Sequence, residues 1–199
     1  MNIGIDIDGV LTDLESFMRN YGTKFCVEEN HPIQISELNY NEKETFKWTA
    51  EQAEKFWNKY LVQYVVEGKP RECAQEVLKQ LQENGNKIYL ITARNEYGLP
   101  PEYYGKMQEL TKKWLKENNI KYNKLVFAED SEKLSQCIEN KIDIMIEDSP
   151  QNILNISKQV LVIKYQNQYN EKIKGKNILT AYSWYHIYEI INKRMRGEI

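Results

Sequence analysis

Five short apolar runs, residues 3–7, 87–92, 125–127, 142–146 and 160–163, are separated by stretches whose apolar residues recur at helical spacing. This alternation constrains the fold more than any other feature. Strands separated by helix-length crossovers imply a parallel sheet wound on both faces. The runs show little polar alternation, as strands buried on both sides require. Pro70 starts a helix with Ala74, Val77, Leu78 and Leu81 inward, and a later helix buries Met107, Leu110, Trp114 and Leu115. A short helix carries Lys133, Leu134, Cys137 and Ile138, and a last one, capped by Ser183, carries Trp184, Ile187, Tyr188 and Ile191. Ser149 caps a further helix with Pro150 at its first position. The expected architecture is α/β, a doubly wound parallel sheet with a small helical cap inserted after the first strand.

The insert is residues 14–69. Thr12 and Glu15 read as a capping box for a helix striped by Leu14, Phe17, Met18 and Tyr21. Thr49 and Gln52 open another, with Ala53, Phe56, Trp57, Tyr60 and Leu61 in its stripe. This aromatic-rich stretch is either a cap over the carboxyl edge of the sheet or an extra helical layer elsewhere. It is assigned here as a cap, leaving residues 1–13 and 70–199 as the core.

The first strand runs into Asp6-Ile7-Asp8-Gly9-Val10-Leu11-Thr12-Asp13. Open α/β sheets bind ligands at the carboxyl ends of their strands. Acids two apart on an extended chain face one side, and each raises the other's pKa unless a cation lies between them. One carboxylate is then placed to attack phosphorus and the other to move a proton, with magnesium neutralising the cluster. A bare Asp-x-Asp equally suits a calcium-type or merely solvated acidic turn; the full octet with its apolar lead-in favours the reactive reading. The octet resembles the first motif of the haloacid dehalogenase superfamily, Asp-x-Asp-Gly-Val-Leu-Thr/Ala-Asp. Most members are magnesium-dependent phosphatases that form an aspartyl-phosphate.

Three further segments extend the resemblance. Thr92 ends an apolar strand, as in the second motif, and its hydroxyl with the following backbone N–H suits phosphate oxygens. Arg94 either grips phosphate bidentately or ties down the loop. The superfamily places a lysine shortly before the fourth strand to neutralise the phosphoryl group. Lys133 is the choice and Lys141 the rival. Ile144-Met145-Ile146-Glu147-Asp148-Ser149-Pro150 then supplies acids for a hard cation, although Glu147-Asp148 alone would suit a helix N-terminus. The resemblance implies Asp6 as nucleophile and Asp8 as acid and base. It implies Thr92 and Lys133 on phosphate, and Mg2+ held by the Asp6 and Asp148 side chains and the Asp8 carbonyl. The family often has two aspartates in the last motif. Glu147 departs from this, either as a partner of a ligand or as a water-bridged ligand.

The chain is most similar to the 5'(3')-deoxyribonucleotidase branch and its bacterial relatives. Besides the octet, the supporting residues are Tyr104-Gly105-Lys106, Trp114 eight residues on, and Ser183-Trp184. The branch implies a phosphatase of small nucleoside monophosphates. Leu14 stands where known members place a base-stacking aromatic, and Ala93-Arg94 where Ser-Pro is usual. Phe46, Trp48 and Trp57 either replace that stacking surface or form the core of the cap. The alternatives are a phosphatase of another metabolite such as a sugar phosphate, a phosphotransferase or mutase, and a non-catalytic phospho-ligand-binding module. A net charge of -2 without a basic stripe argues against nucleic-acid polymers. Cys26, Cys73 and Cys137 have no zinc-type spacing. Their odd number and the lack of a signal-peptide pattern point to the cytoplasm. No apolar run reaches membrane-spanning length.

Overall fold

The computed structural model describes residues 1–35 and 37–199; Ser36, within the insert, lies outside the described residues. The strands are β1 (Asn2–Ile5), β2 (Lys87–Thr92), β3 (Lys124–Phe127), β4 (Ile144–Glu147), β5 (Leu161–Tyr165) and β6 (Ile178–Ala181). They form one parallel sheet in the order β3-β2-β1-β4-β5-β6. The sequence suggests only the first five. β6 is an edge strand in which only Ile178-Leu179 precede the polar Thr180, so no apolar run marks it, and it pairs beside β5. The helices are α1 (Leu14–Glu28), α2 (Glu42–Phe46), α3 (Ala50–Glu67), α4 (Ala74–Glu83), α5 (Met107–Glu117), α6 (Lys133–Glu139), α7 (Pro150–Ile156) and α8 (Trp184–Met195).

The sheet is buried on both faces. Ile144 and Ile146 join a core with Val77 and Leu81 of α4, Trp114 of α5 and Ile187 of α8. Met145, between them, faces the other way onto Ile153 and Ile156 of α7 and Cys137 of α6. This is the doubly wound α/β architecture. The connections diverge on either side of β1 and β4, so the crevice for a ligand lies between the carboxyl ends of those two strands.

β1 ends two residues earlier than its apolar run. Asp6 N still donates to Ile146 O at 3.0 Å, and the chain then makes one wide turn over residues 7–11, closed by Thr12 N donating to Ile7 O at 3.0 Å. Gly9 sits in this turn at φ +84, where an added Cβ would lie 1.9 Å from Asp148 Oδ2. Both the backbone conformation and the space demand glycine.

The turn also moves the helix cap by one residue. Asp13, not Thr12, caps α1, its carboxylate accepting from Ser16 N at 3.0 Å. Thr12 Oγ1 shares a 2.6 Å hydrogen bond with the Tyr64 hydroxyl on α3, and Glu15 accepts from Gln168 N at 2.8 Å. The Thr49–Gln52 capping box of α3 is present. Pro70 does not begin α4; it bridges to Thr12, so the insert leaves and rejoins the sheet at one place. Helices α1–α3 share a core of Phe25, Phe46, Trp48, Phe56 and Tyr60. Gly22 on α1 lets the Phe46 ring approach to where a Cβ would meet it at 2.1 Å. Tyr64 and Val65 of α3 pack on Leu99 and on Met107 of α5.

Candidate active site

The carboxyl ends of β1 and β2, the start of α6 and one face of α3 surround a cavity of about 290 Å³. Asp6 and Asp8 both line it, although a turn rather than a continuous strand brings them together. Asp6 Oδ1 accepts from Ile7 N at 2.8 Å, and Oδ2 lies 3.0 Å from Lys133 Nζ. Lys133 Nζ also donates to Glu147 Oε2 at 3.0 Å. The structure thus places Lys133, 2% exposed, among the acids, while Lys141 is exposed in a turn.

Glu147 ends β4 fully buried. Its Oε1 accepts from Asp148 N and Ser149 N, both at 3.0 Å, and its Oε2 faces Lys133. Protein donors therefore occupy both oxygens, and Glu147 serves as an anchor for Lys133. Asp148 is different. Its Oδ2 accepts from the Tyr169 hydroxyl, but its buried Oδ1 has no hydrogen-bond partner. One oxygen from each of Asp6, Glu147 and Asp148 falls within a 4.8 Å cluster.

The charges do not balance within this cluster. Burial, then Glu147, hold the Asp6 carboxyl well above the usual carboxylate range against the pull of Lys133. Burial and Asp6 push Asp148 up to about 7. Burial pulls the Lys133 ammonium down, but Asp6 and Glu147 more than offset it. Three buried acids share one lysine, and an orphaned carboxylate oxygen costs free energy unless something supplies positive charge. Hard oxygen donors, excess negative charge and a partnerless Oδ1 fit a divalent cation.

Arg94 lies at the edge of the cavity. Its fork closes on Asp8, with Nε at 2.9 Å from Oδ2 and Nη2 at 2.7 Å from Oδ1. Its guanidinium lies between the rings of Tyr64 and Trp114, at 5.9 and 5.7 Å. Thr92, fully buried at the end of β2, accepts from Arg94 N at 3.3 Å. The next three residues, Ala93, Arg94 and Asn95, line the cavity, whereas Thr92 itself does not. Lys106 lies on the surface and donates to Glu102 O at 2.9 Å.

The upper walls are largely apolar: Leu14, Leu61, Val65 and Met107, with the rings of Trp57, Tyr64, Tyr97 and Tyr40. Phe46 and Trp48 are not among them, since both are spent in the core of α1–α3. Sequence reasoning also missed Arg71. It donates to Gly9 O at 3.1 Å and Thr12 O at 3.2 Å, clamping the 7–11 turn while lying over the Tyr165 ring. It missed Tyr169 and Asn170 as well, which reach Asp148 from the β5–β6 connection. No periodic or motif signal marks any of the three.

A family model for "5' nucleotidase, deoxy (Pyrimidine), cytosolic type C protein" matches residues 1–196. A Bacillus cereus protein named "Putative nucleotidase" is 30% identical over 205 residues, covering 98% of this chain and 100% of its own. Solved structures share the fold. A haloacid dehalogenase-like hydrolase from Streptococcus pneumoniae superposes with a TM-score of 0.66 at 12% identity, covering 96% of this chain and 97% of that one. A magnesium-bound hydrolase of the same superfamily from Bacillus subtilis gives 0.56 at 13%, covering 96% and 98%. Among the described residues no helix is long and apolar enough to cross a membrane, and all three cysteines are free.

Proposed function

Because the chain belongs to the 5' nucleotidase, deoxy (Pyrimidine), cytosolic type C family, phosphoric monoester hydrolases on a haloacid dehalogenase-like fold, we propose that it hydrolyses nucleoside monophosphates in the cytoplasm, with magnesium, through an aspartyl-phosphate on Asp6. The observation that carries this reading is the pairing of two acids on the floor of the cavity with apolar and aromatic walls above them. The floor suits a phosphoryl group and the walls suit a flat, weakly polar leaving group.

An Asp6 carboxylate oxygen bonds to phosphorus as the ester P–O bond breaks, and Asp8, having taken up a proton and loosened its pairing with Arg94 before this step, gives that proton to the departing oxygen. Asp8, again a carboxylate, then takes a proton from water as that water attacks the acyl phosphate, releasing phosphate and restoring Asp6. Lys133 neutralises charge on the Asp6 side, and Thr92 fixes the turn that presents the Ala93 and Arg94 edge. Arg94 orients Asp8. Asp6 and Asp148 would hold magnesium by their side chains, with the Asp8 carbonyl. Bound magnesium supplies Lewis-acid polarisation of phosphoryl oxygens and screens the acids from the incoming phosphate. Residues 14–69 are assigned as the cap that selects the leaving group, and residues 1–13 and 70–199 as the catalytic core. The bridge between Thr12 and Pro70 supports this division.

Phosphate release from a panel of nucleoside monophosphates and sugar phosphates tests the reading. Nucleotides are expected to show the higher kcat/KM. A panel led by sugar phosphates would overturn the nucleotide assignment and leave the acid chemistry standing. Trp57→Ala is expected to lower kcat/KM for nucleotides, since stacking a base on an aromatic contributes about 1–3 kcal/mol, roughly ten- to hundredfold. p-Nitrophenyl phosphate should be spared, and an equal loss on both substrates would remove Trp57 as a base contact.

Chelation is expected to abolish turnover and added magnesium to restore it. Asp148→Ala should raise the magnesium needed for half-activity by at least about tenfold. Full activity after chelation would contradict the cation site.

A further inference from the structure

The connection between β5 and β6 is fastened to the site more firmly than a surface loop needs to be. Lys164, inside β5 and 1% exposed, has no ion-pair partner among the described residues. Its ammonium instead donates to three carbonyls of this connection, Asn170 O at 3.0 Å, Ile173 O at 3.1 Å and Glu171 O at 3.3 Å. A buried charge is tolerated only when its hydrogen bonds are satisfied, so the loop and the lysine hold each other in place. The loop in turn holds Asp148. Asn170 Nδ2 donates to Asp148 O at 2.8 Å, and the Tyr169 hydroxyl donates to Oδ2 of its carboxylate. The 7–11 turn lies close against this carboxylate: a Cβ on Gly9 would fall 1.9 Å from Oδ2 and 2.8 Å from Oδ1. Oδ1 is left as the only carboxylate oxygen among the described residues that is both buried and without a hydrogen-bond partner.

We propose that Tyr169 is a positioning residue for the cation carboxylate: its hydroxyl engages Oδ2 of Asp148 and thereby dedicates Oδ1 to a bound divalent cation. This rests on the cation site of the proposed function and adds the residue that sets its geometry. A carboxylate with two free oxygens rotates between alternative partners, whereas one fixed through its second oxygen meets a cation already aligned. The same tyrosine meets the insert. Its ring stands edge-on to Tyr40, with centroids 5.4 Å apart, and Tyr40 lines the substrate cavity.

The test is calorimetric titration of magnesium alone, without substrate, into the full chain and into Tyr169→Phe. Phenylalanine keeps the ring and the Tyr40 contact, and melting curves recorded in chelator check the fold. The expected result is a magnesium Kd weakened about tenfold, with kcat at saturating magnesium unchanged. A merely structural role would move the melting curve or kcat instead. Asn170→Ser, which loosens the loop and keeps the hydroxyl, is expected to weaken binding by a smaller factor. Equal or tighter magnesium binding by Tyr169→Phe overturns this proposal alone. Wild-type protein that binds no magnesium overturns both this proposal and the cation site on which it rests.

Discussion

Asp6→Asn is expected to abolish turnover while leaving the metal-free fold at least as stable as wild type. The amide has the shape of the acid but cannot form an acyl phosphate, so the loss should exceed about a thousandfold. Stability should move the other way. Burial and Glu147 raise the Asp6 carboxyl in the folded chain, so the native state binds this proton more tightly than the unfolded one. That contribution is full below the ordinary carboxylate range and is lost as pH rises through the raised folded value. The metal-free protein therefore loses this contribution as pH rises, and the amide, which does not titrate, removes that dependence. Lys133 is not stranded, because Glu147 remains at 3.0 Å. Phosphate release and thermal melting in one chelator-treated buffer, with magnesium added back for the assay, read both effects. A folded variant within about tenfold of the wild-type rate would remove Asp6 as nucleophile.

Asp8→Asn should also lose activity, by about 10²–10⁴-fold for general acid–base catalysis, but with a different signature. The loss should be greatest for nucleotides, whose departing alkoxide needs a proton, and smaller for p-nitrophenyl phosphate, whose departing phenolate does not. Stability should fall. Arg94, its side chain 3% exposed, would lose its counter-charge, whereas Asp8 itself is 26% exposed. Breaking a buried pair costs about 3–5 kcal/mol. The solvent at Asp8 and the remaining amide oxygen place the loss at or below the lower end. Equal rate losses on both substrates would argue that Asp8 acts only by holding Arg94.

The parallel sheet was legible because strands covered on both faces are solid apolar runs, as in Ile144-Met145-Ile146. The acids were legible because they terminate those runs. The partnerships between side chains were not. A cation following a strand does not say which acid it faces, and Arg94 meets Asp8 only because the Gly9 turn swings Asp8 toward it. Helical spacing showed α3 to be amphipathic without separating its two apolar stripes. Phe56 and Tyr60 face the core of α1–α3, while Trp57, Leu61 and Val65 recur every fourth residue toward the cavity. Thr12 and Asp13 are both good caps, and the demand of Tyr64 for the threonine hydroxyl decided between them. The polar run Gln166-Asn167-Gln168-Tyr169-Asn170 has no period at all, so its grip on Asp148 exists only in the folded chain.

The pairing of β1 with β4 has a consequence for the order of events at the ribosome. Ile3 is in register with Ile144, so the innermost strand of the sheet lies beside one made far later. At about 5–20 residues per second, β1 waits roughly ten seconds for that neighbour. Until then Asp6 has no Glu147 or Asp148 beside it, and a partial chain displays its acids to water as an ordinary acidic loop. A partial chain that ends before β4 therefore lacks two of the three acids that cluster in the fold. The crossing that adds β4 beside β1 is therefore the one that brings the three buried acids together.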